Sequence, residues 1–220
     1  MRISSLHRVV AVAALFLLAA PVEAAGRRNV AIVLYQGVEL LDFAGPGEVF
    51  AAAGDAFRVY TVAETKQPLL SEGFLTVVPE FSIADAPAPD ILVIPGGSVR
   101  SVIRSPAMLA WVKQVTAKDE VTMSVCNGAL VLAENGTLAG LKATTHWSAL
   151  AALRAREPRA TVLDDARFVD NGRVVTTAGV SAGIDGALHL VARLLGDAEA
   201  AEVAHYMQYD WNASRNAARR

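Results

Sequence analysis

Cys126 is the only thiol of the chain. It stands where a short β-branched and apolar run turns abruptly at Cys126-Asn127-Gly128 into an Ala-rich segment that stops at Asn135-Gly136. Residues 121–133 therefore read as a strand running directly into a helix. That arrangement puts the turn residue at the C-terminal edge of a parallel sheet, where open α/β sheets bind their ligands. With serine in place of cysteine, the same geometry is the nucleophile elbow of hydrolases. A thiol beside the free N–H groups of a helix start is predicted to ionise below its ordinary range of about 8.5. The plainer alternative is a buried cysteine acting as a small hydrophobe.

Other reactive groups follow other predicted strands. Glu39 and Asp42 come after the first, Gly96-Gly97 after 90–94, Cys126 after 121–125, and Thr145 and His146 after Ala143. If those strands are parallel, their loops converge, and a thiol meets a carboxyl, an imidazole and backbone donors. These are the parts of cysteine-based acyl or hydration chemistry: nucleophile, proton carrier and anion-stabilising amides. Each has a structural alternative. Asp42 suits a helix N-cap, His146 a packing histidine, and Gly96-Gly97 a tight turn. His189 and His205 fall inside predicted helices and read as packing residues. There is no H-x-x-x-H, no cysteine pair, no G-x-G-x-x-G and no Walker pattern, so no metal or nucleotide cofactor is expected.

The elements that must position these groups alternate along the chain. Residues 29–35, 57–63, 90–94 and 121–125 are predicted strands. The continuous hydrophobicity of the first and of 90–94 suits parallel strands covered on both faces. Residues 75–78 read as an excursion or edge. Asn171-Gly172 between 167–170 and 174–177 signals a hairpin. Helices are predicted over 46–53, 106–117, 148–156 with Ser148 as cap, 184–195 and 198–206. The first is taken to begin at Pro46, since proline suits a first helical turn; Glu39 and Asp42 then lie in a loop. The pattern is that of an α/β sandwich with a mostly parallel sheet, helices on both faces and one antiparallel hairpin.

The chain of 220 residues is 53% hydrophobic with a formal net charge of −2. Such a charge provides no basic field, so nucleic acid is not an expected partner. A basic start, an apolar run over 9–20 and small residues at 22–25 have the layout of a secretory signal peptide over 1–24, which predicts a periplasmic or secreted protein. The run is too short for an ordinary membrane span. Residues 29–210 are expected to form the folded domain and 211–220 a solvated tail.

The segments VAIVLYQG (30–37), LDFAGPGEVF (41–50), LVIPGG (92–97), SVCNGA (124–129), ATTHW (143–147) and TAGVSAGID (177–185) together resemble the ThiJ/PfpI family of the class I glutamine amidotransferase-like superfamily. Within it they are most similar to the isonitrile hydratases and the N-terminal domains of AraC-type regulators. The resemblance implies a flavodoxin-like sandwich, a homodimer and Cys126 as elbow nucleophile. It also implies a hydrogen-bonded carboxyl at Asp42, a backbone oxyanion donor at Gly97 beside Gly96, and a histidine at His146. The chain departs from the family at Asn127, where protease-like members carry His and isonitrile hydratase-like members usually carry Thr. Asn cannot act as a general base at neutral pH.

The expected function is a cysteine-dependent hydro-lyase that adds water to a small electrophilic carbon, converting an isonitrile to an N-substituted formamide. The alternatives are a non-catalytic small-molecule-binding or redox-sensing domain and a glyoxalase-type activity on 2-oxoaldehydes.

Overall fold

The computed structural model describes residues 26–211. The predicted signal peptide (1–24) and all but the first residue of the predicted tail lie outside the described residues. In chain order, β1 (Arg28–Val33), α1 (Leu40–Ala52) and β2 (Phe57–Ala63) are followed by the short strands β3 (Leu69–Ser71), β4 (Leu75–Val77) and β5 (Phe81–Ser82). Then come β6 (Ile91–Ile94), α2 (Arg100–Ile103), α3 (Pro106–Thr116) and β7 (Val121–Ser124). A helical turn at Cys126–Gly128 leads into α4 (Ala129–Glu134), β8 (Lys142–Ala143), α5 (Leu150–Arg156) and β9 (Thr161–Val162). The described chain ends with β10 (Phe168–Asp170), β11 (Val174–Thr177), α6 (Ala182–Leu195) and α7 (Asp197–Tyr206).

Seven strands form one sheet in the order β10-β11-β7-β6-β1-β2-β5. All neighbours are parallel except β10 and β11, joined at Asn171-Gly172. The apolar runs of β1 and β6 fill the centre because parallel strands are covered on both faces. Val49 and Phe50 of α1, Leu188 and Val191 of α6, and Val203 of α7 pack on one face. Val102, Met108, Val112, Leu132 and Leu153, from α2 to α5, pack on the other. The chain builds outward from β1 through β2, then returns to the opposite side of β1 for β6. The connections after β1 and β6 lead to opposite faces, and a crevice opens between them at the C-terminal edge.

The first helix departs from expectation. It begins at Leu40, six residues before Pro46, and continues through Gly45-Pro46-Gly47 to Ala52. Proline inside a helix removes one hydrogen bond, here to the Asp42 carbonyl, but close packing outweighs that loss. A side chain at Gly45 would start 2.9 Å from Ile184 Cγ1 of α6, and one at Gly47 would start 3.2 Å from Ile32 Cδ1 of β1. The helix lies that close to its neighbours because those positions have no side chain. Asp42 is consequently in the first helical turn, pointing inward, and is neither in a loop nor an N-cap. The Ser148 cap is also corrected: His146 caps the helical turn before α5 and accepts from the Ser148 N–H.

The excursion near residue 75 is a two-stranded hairpin outside the main sheet, β3 against β4. It is clasped to the loop after β1. Gly37 N–H donates to Leu70 O (2.8 Å), Leu70 N–H to Gln36 Oε1 (3.0 Å), and Ser71 Oγ to Val38 O (2.7 Å).

Candidate active site

Cys126 has φ of 57°, in the left-handed region that few non-glycine residues enter. Three contacts over-determine this conformation. Cys126 N–H donates to Ala178 O at 2.9 Å, Thr145 Oγ1 donates to Cys126 O at 2.6 Å, and Val125 N–H donates to Ile94 O at 3.0 Å. Gly128 completes the elbow, because a side chain there would collide with the Ile94 carbonyl. Strain of this kind persists only where the surroundings enforce it, and it collects at functional sites.

Asp42 is fully buried beside the thiol. Its Oδ2 accepts from Gly96 N–H at 2.8 Å and its Oδ1 from Val180 N–H at 3.0 Å. Burial raises its pKa to about 6, against the pull of these two amides and of the Cys126 thiol, which hydrogen-bonds to it. Cys126 is pushed the other way from the sequence prediction. Burial first, then the Asp42 carboxylate, raise the thiol to about 12, and the Asn127 N–H facing the sulfur offsets only part of this. The predicted low-pKa thiol is thus overturned. The helix start supplies one amide, whereas the carboxylate beside the sulfur opposes a second negative charge. In the resting site the proton belongs to sulfur.

Three elements meet at Gly96. A side chain there would start 2.5 Å from Asn127 Oδ1, 2.7 Å from Asp42 Oδ2 and 2.7 Å from Cys126 Cβ. Tyr35 Oη holds the strip from below, donating to Pro95 O and Gly96 O at 2.7 Å each. Gly97, at φ 112°, zips against the loop after β1 through its bridge to Val38. Its N–H was the expected oxyanion donor. It is occupied: it donates to Asn127 Oδ1 at 2.8 Å, while Asn127 Nδ2 donates back to Gly97 O at 3.0 Å. The Asn127 amide thus pairs with Gly97 as a peptide would, and both glycine N–H groups have partners.

His146 lies on the neighbouring loop, with its ring against Gly179, where a side chain would collide with it. Its Nδ1 is 2.7 Å from Ser148 Oγ, and no hydrogen bond joins it to Cys126 or Asp42. The loops therefore bring Cys126, Asp42, Gly96, Gly97 and Asn127 into contact, and place the His146 ring against Gly179 without a hydrogen bond to the thiol or the carboxyl.

The sequence reading missed the Val180 N–H and the Tyr35 hydroxyl. It also missed Glu72 of the β3–β4 turn, which meets Glu39 and, after burial, raises the Glu39 pKa to about 7. The glycine-flanked valine in TAGVSAGID was the one available signal for the first. Among the described residues, no group of three His, Cys, Asp or Glu is disposed to hold a metal ion, and no helix is long and apolar enough to cross a membrane. A cleft of about 730 Å³ continues from Gly97 and Asn127 past Ser98, Arg100, Leu130 and Arg156.

Comparison with known proteins agrees with this fold. Among curated proteins, an isonitrile hydratase from Pseudomonas putida is 31% identical over 188 residues, covering 82% of this chain and 78% of that protein. The HTH-type transcriptional regulator CdhR of Pseudomonas aeruginosa is 26% identical over 78% of this chain, which spans 52% of the regulator. A ThiJ/PfpI family crystal structure from Pseudomonas syringae superposes with a TM-score of 0.78 at 30% identity, covering 85% of this chain and 77% of that one. Residues 28–193 match the DJ-1/PfpI family, and the chain belongs to that family.

Proposed function

We propose that the protein is a cysteine-dependent hydratase of isonitriles. The observation that carries the reading is the charge balance at the sulfur. Asp42 stands against the thiol, Glu39 acts on it as well, and the Gly96 and Gly97 N–H groups are already engaged. Such a site favours a transition state that gathers positive charge over one that gathers an oxyanion. Protonation of an isonitrile at its terminal carbon creates a nitrilium-like centre of this kind. Attack of a thiol on a 2-oxoaldehyde creates an alkoxide, and Asn127 has taken the Gly97 amide that would receive it.

The steps follow from the placement of one proton. The S–H proton of Cys126 passes to Asp42 and from it to the terminal carbon of R–N≡C, while sulfur bonds to the same carbon. The product is the thioimidate R–N=CH–S–Cys126. Water adds to that carbon, its proton returns through Asp42, nitrogen is protonated, and the C–S bond breaks to release R–NH–CHO and the thiol. Asp42, with a pKa of about 6, accepts and releases a proton near neutrality, as this relay needs. We further propose a small-molecule substrate entering by the cleft beside Asn127, export directed by residues 1–24, and a homodimer.

The test is formamide production from a panel of alkyl isonitriles, with 2-oxoaldehydes in parallel and Cys126→Ala as control. Turnover of isonitriles that vanishes in the variant is expected. Turnover of 2-oxoaldehydes instead would refute the charge argument. Inactivity of folded protein toward both would favour a binding domain, the reading that the resting thiol otherwise suits.

A further inference from the structure

Both backbone groups that touch the reacting pair from the β11–α6 side come from four residues. Ala178 O receives the Cys126 N–H, and Val180 N–H reaches Asp42. Val180 is β-branched and has φ of 53°. A β-branched residue in the left-handed region is a genuine outlier, costing energy unless its neighbours impose it. Something must therefore hold the turn.

Arg167, just before β10, does so from both ends. Its carbonyl accepts the Ala178 N–H at 2.8 Å, and its guanidinium reaches Ser181 Oγ at 3.3 Å. The same guanidinium pairs with Asp185 in the first turn of α6, Nε donating to Oδ2 at 2.6 Å. Asp185 is 1% exposed, and Tyr209 Oη donates to its Oδ2 at 3.2 Å. A charge that deep is expensive to bury unless it is paired and hydrogen-bonded, so the pair fixes where α6 starts relative to β10. The turn is bracketed between those two points.

We propose that the Arg167–Asp185 ion pair is a positioning device for the active-site carboxyl: by bracketing residues 178–181 it keeps the Val180 N–H on Asp42. Neither residue touches the reacting atoms. The inference shares with the proposed function only the premise that Asp42 carries the proton, and its test reads that carboxyl directly. Failure to turn over isonitriles would leave it standing.

The titratable groups around Asp42 are Cys126 on the elbow, Tyr35 after β1, Glu39 at the start of α1 and Glu72 on the hairpin. Burial, the Gly96 and Val180 amides, the Cys126 thiol and the Glu72 charge set the Asp42 value. The experiment is titration of the full-length protein labelled with γ-¹³C aspartate, the Asp42 resonance being assigned by its loss in Asp42→Asn. In Arg167→Gln and in Asp185→Asn the Asp42 midpoint is expected to rise by about one pH unit, because the carboxylate loses one of two amide donors. The shared sign discriminates: a charge acting through space would move the two variants in opposite directions, and that result would overturn the proposal. So would an unmoved midpoint in the folded variants. Adding Val180→Gly to Arg167→Gln should return the midpoint toward that of the parent, since glycine holds the left-handed turn without strain. No return would show that the pair does not act through this backbone. If Arg167→Gln fails to fold, Ser181→Ala carries the test: a smaller upward shift supports the proposal, and none refutes it.

Discussion

A carboxyl that burial has raised makes the protein less stable wherever it must be ionised, and for Asp42 the size of this effect follows from the site. The ordinary value of 3.8 becomes about 6 in the folded protein. Below pH 3.8 both states carry the proton and nothing is lost. Between the two values the unfolded chain releases it while the folded chain keeps it, so stability falls as pH rises through about 6 and then levels off. At 1.36 kcal/mol per unit, the full loss is about 3 kcal/mol by pH 8. Asp42→Asn removes the titration and adds a constant offset. The carboxylate accepts from two amides, and an Asn can accept from only one, leaving its NH₂ against the other donor, an offset of about 1–3 kcal/mol. The assay is urea unfolding of parent and variant from pH 4 to 8. The difference between them should swing by roughly 2–3 kcal/mol toward the variant across that range, or roughly 4–12 °C in Tm for a chain of this size. Asp119, also raised, cancels in the difference, whereas Glu39, whose pKa the Asp42 charge helps to raise, adds to the swing in the same direction. A difference that stays flat to within about 0.5 kcal/mol would refute the argument that Asp42 is held against its ionisation.

Three further outcomes are expected. Alkylation of Cys126 by iodoacetamide should be slower at pH 7 than that of a free thiol, and Asp42→Asn should accelerate it, since the carboxylate opposing the thiolate is removed; a parent profile with an ordinary midpoint near 8.5 would contradict the placement of the proton. Gly96→Ala puts a methyl 2.7 Å from both Asp42 Oδ2 and Cys126 Cβ and should lower turnover by about 100-fold or more, whereas Gly26→Ala, whose Cβ would meet open space, should leave turnover unchanged; equal activities of the two would rule out the steric reading. Asp170, to which His189 donates and whose pKa, against burial, the histidine, the Gly172 N–H and Arg193 lower to about 2, contributes stability that is present above 3.8 and lost as pH falls through 2; Asp170→Asn should cost about 1 kcal/mol at pH 6 and flatten the acid limb of an unfolding curve.

Local signals made much of this architecture legible. The strand-to-turn-to-helix reading at Cys126 needed only the change of residue type across Val125-Cys126-Asn127. Asn171-Gly172 announced the single antiparallel pair, and the unbroken apolar runs of β1 and β6 announced a covered parallel sheet. What could not be read was decided by tertiary contact. Nothing local to Gly45-Pro46-Gly47 favours a helix; Ile184 and Ile32 do, from 139 and 15 residues away, counted from Gly45 and Gly47. The thiol was misjudged for a similar reason. Its sequence neighbours provide an amide, whereas the carboxylate that governs it arrives from a helix 84 residues earlier. The engagement of Gly97 by Asn127 was hidden because a side chain that imitates a peptide has no signature other than the amide itself.

That imitation has an evolutionary corollary. Residue 127 sits on the elbow but completes the backbone pairing of another loop, so the identity of one side chain decides whether the Gly97 amide is structural or available to a ligand. Replacing Asn127 by a shorter residue would release an amide without moving the sheet, the thiol or the carboxyl. On this scaffold the passage between chemistries that shun an oxyanion and chemistries that require one can be a single substitution long, and position 127 is the place to begin redesign.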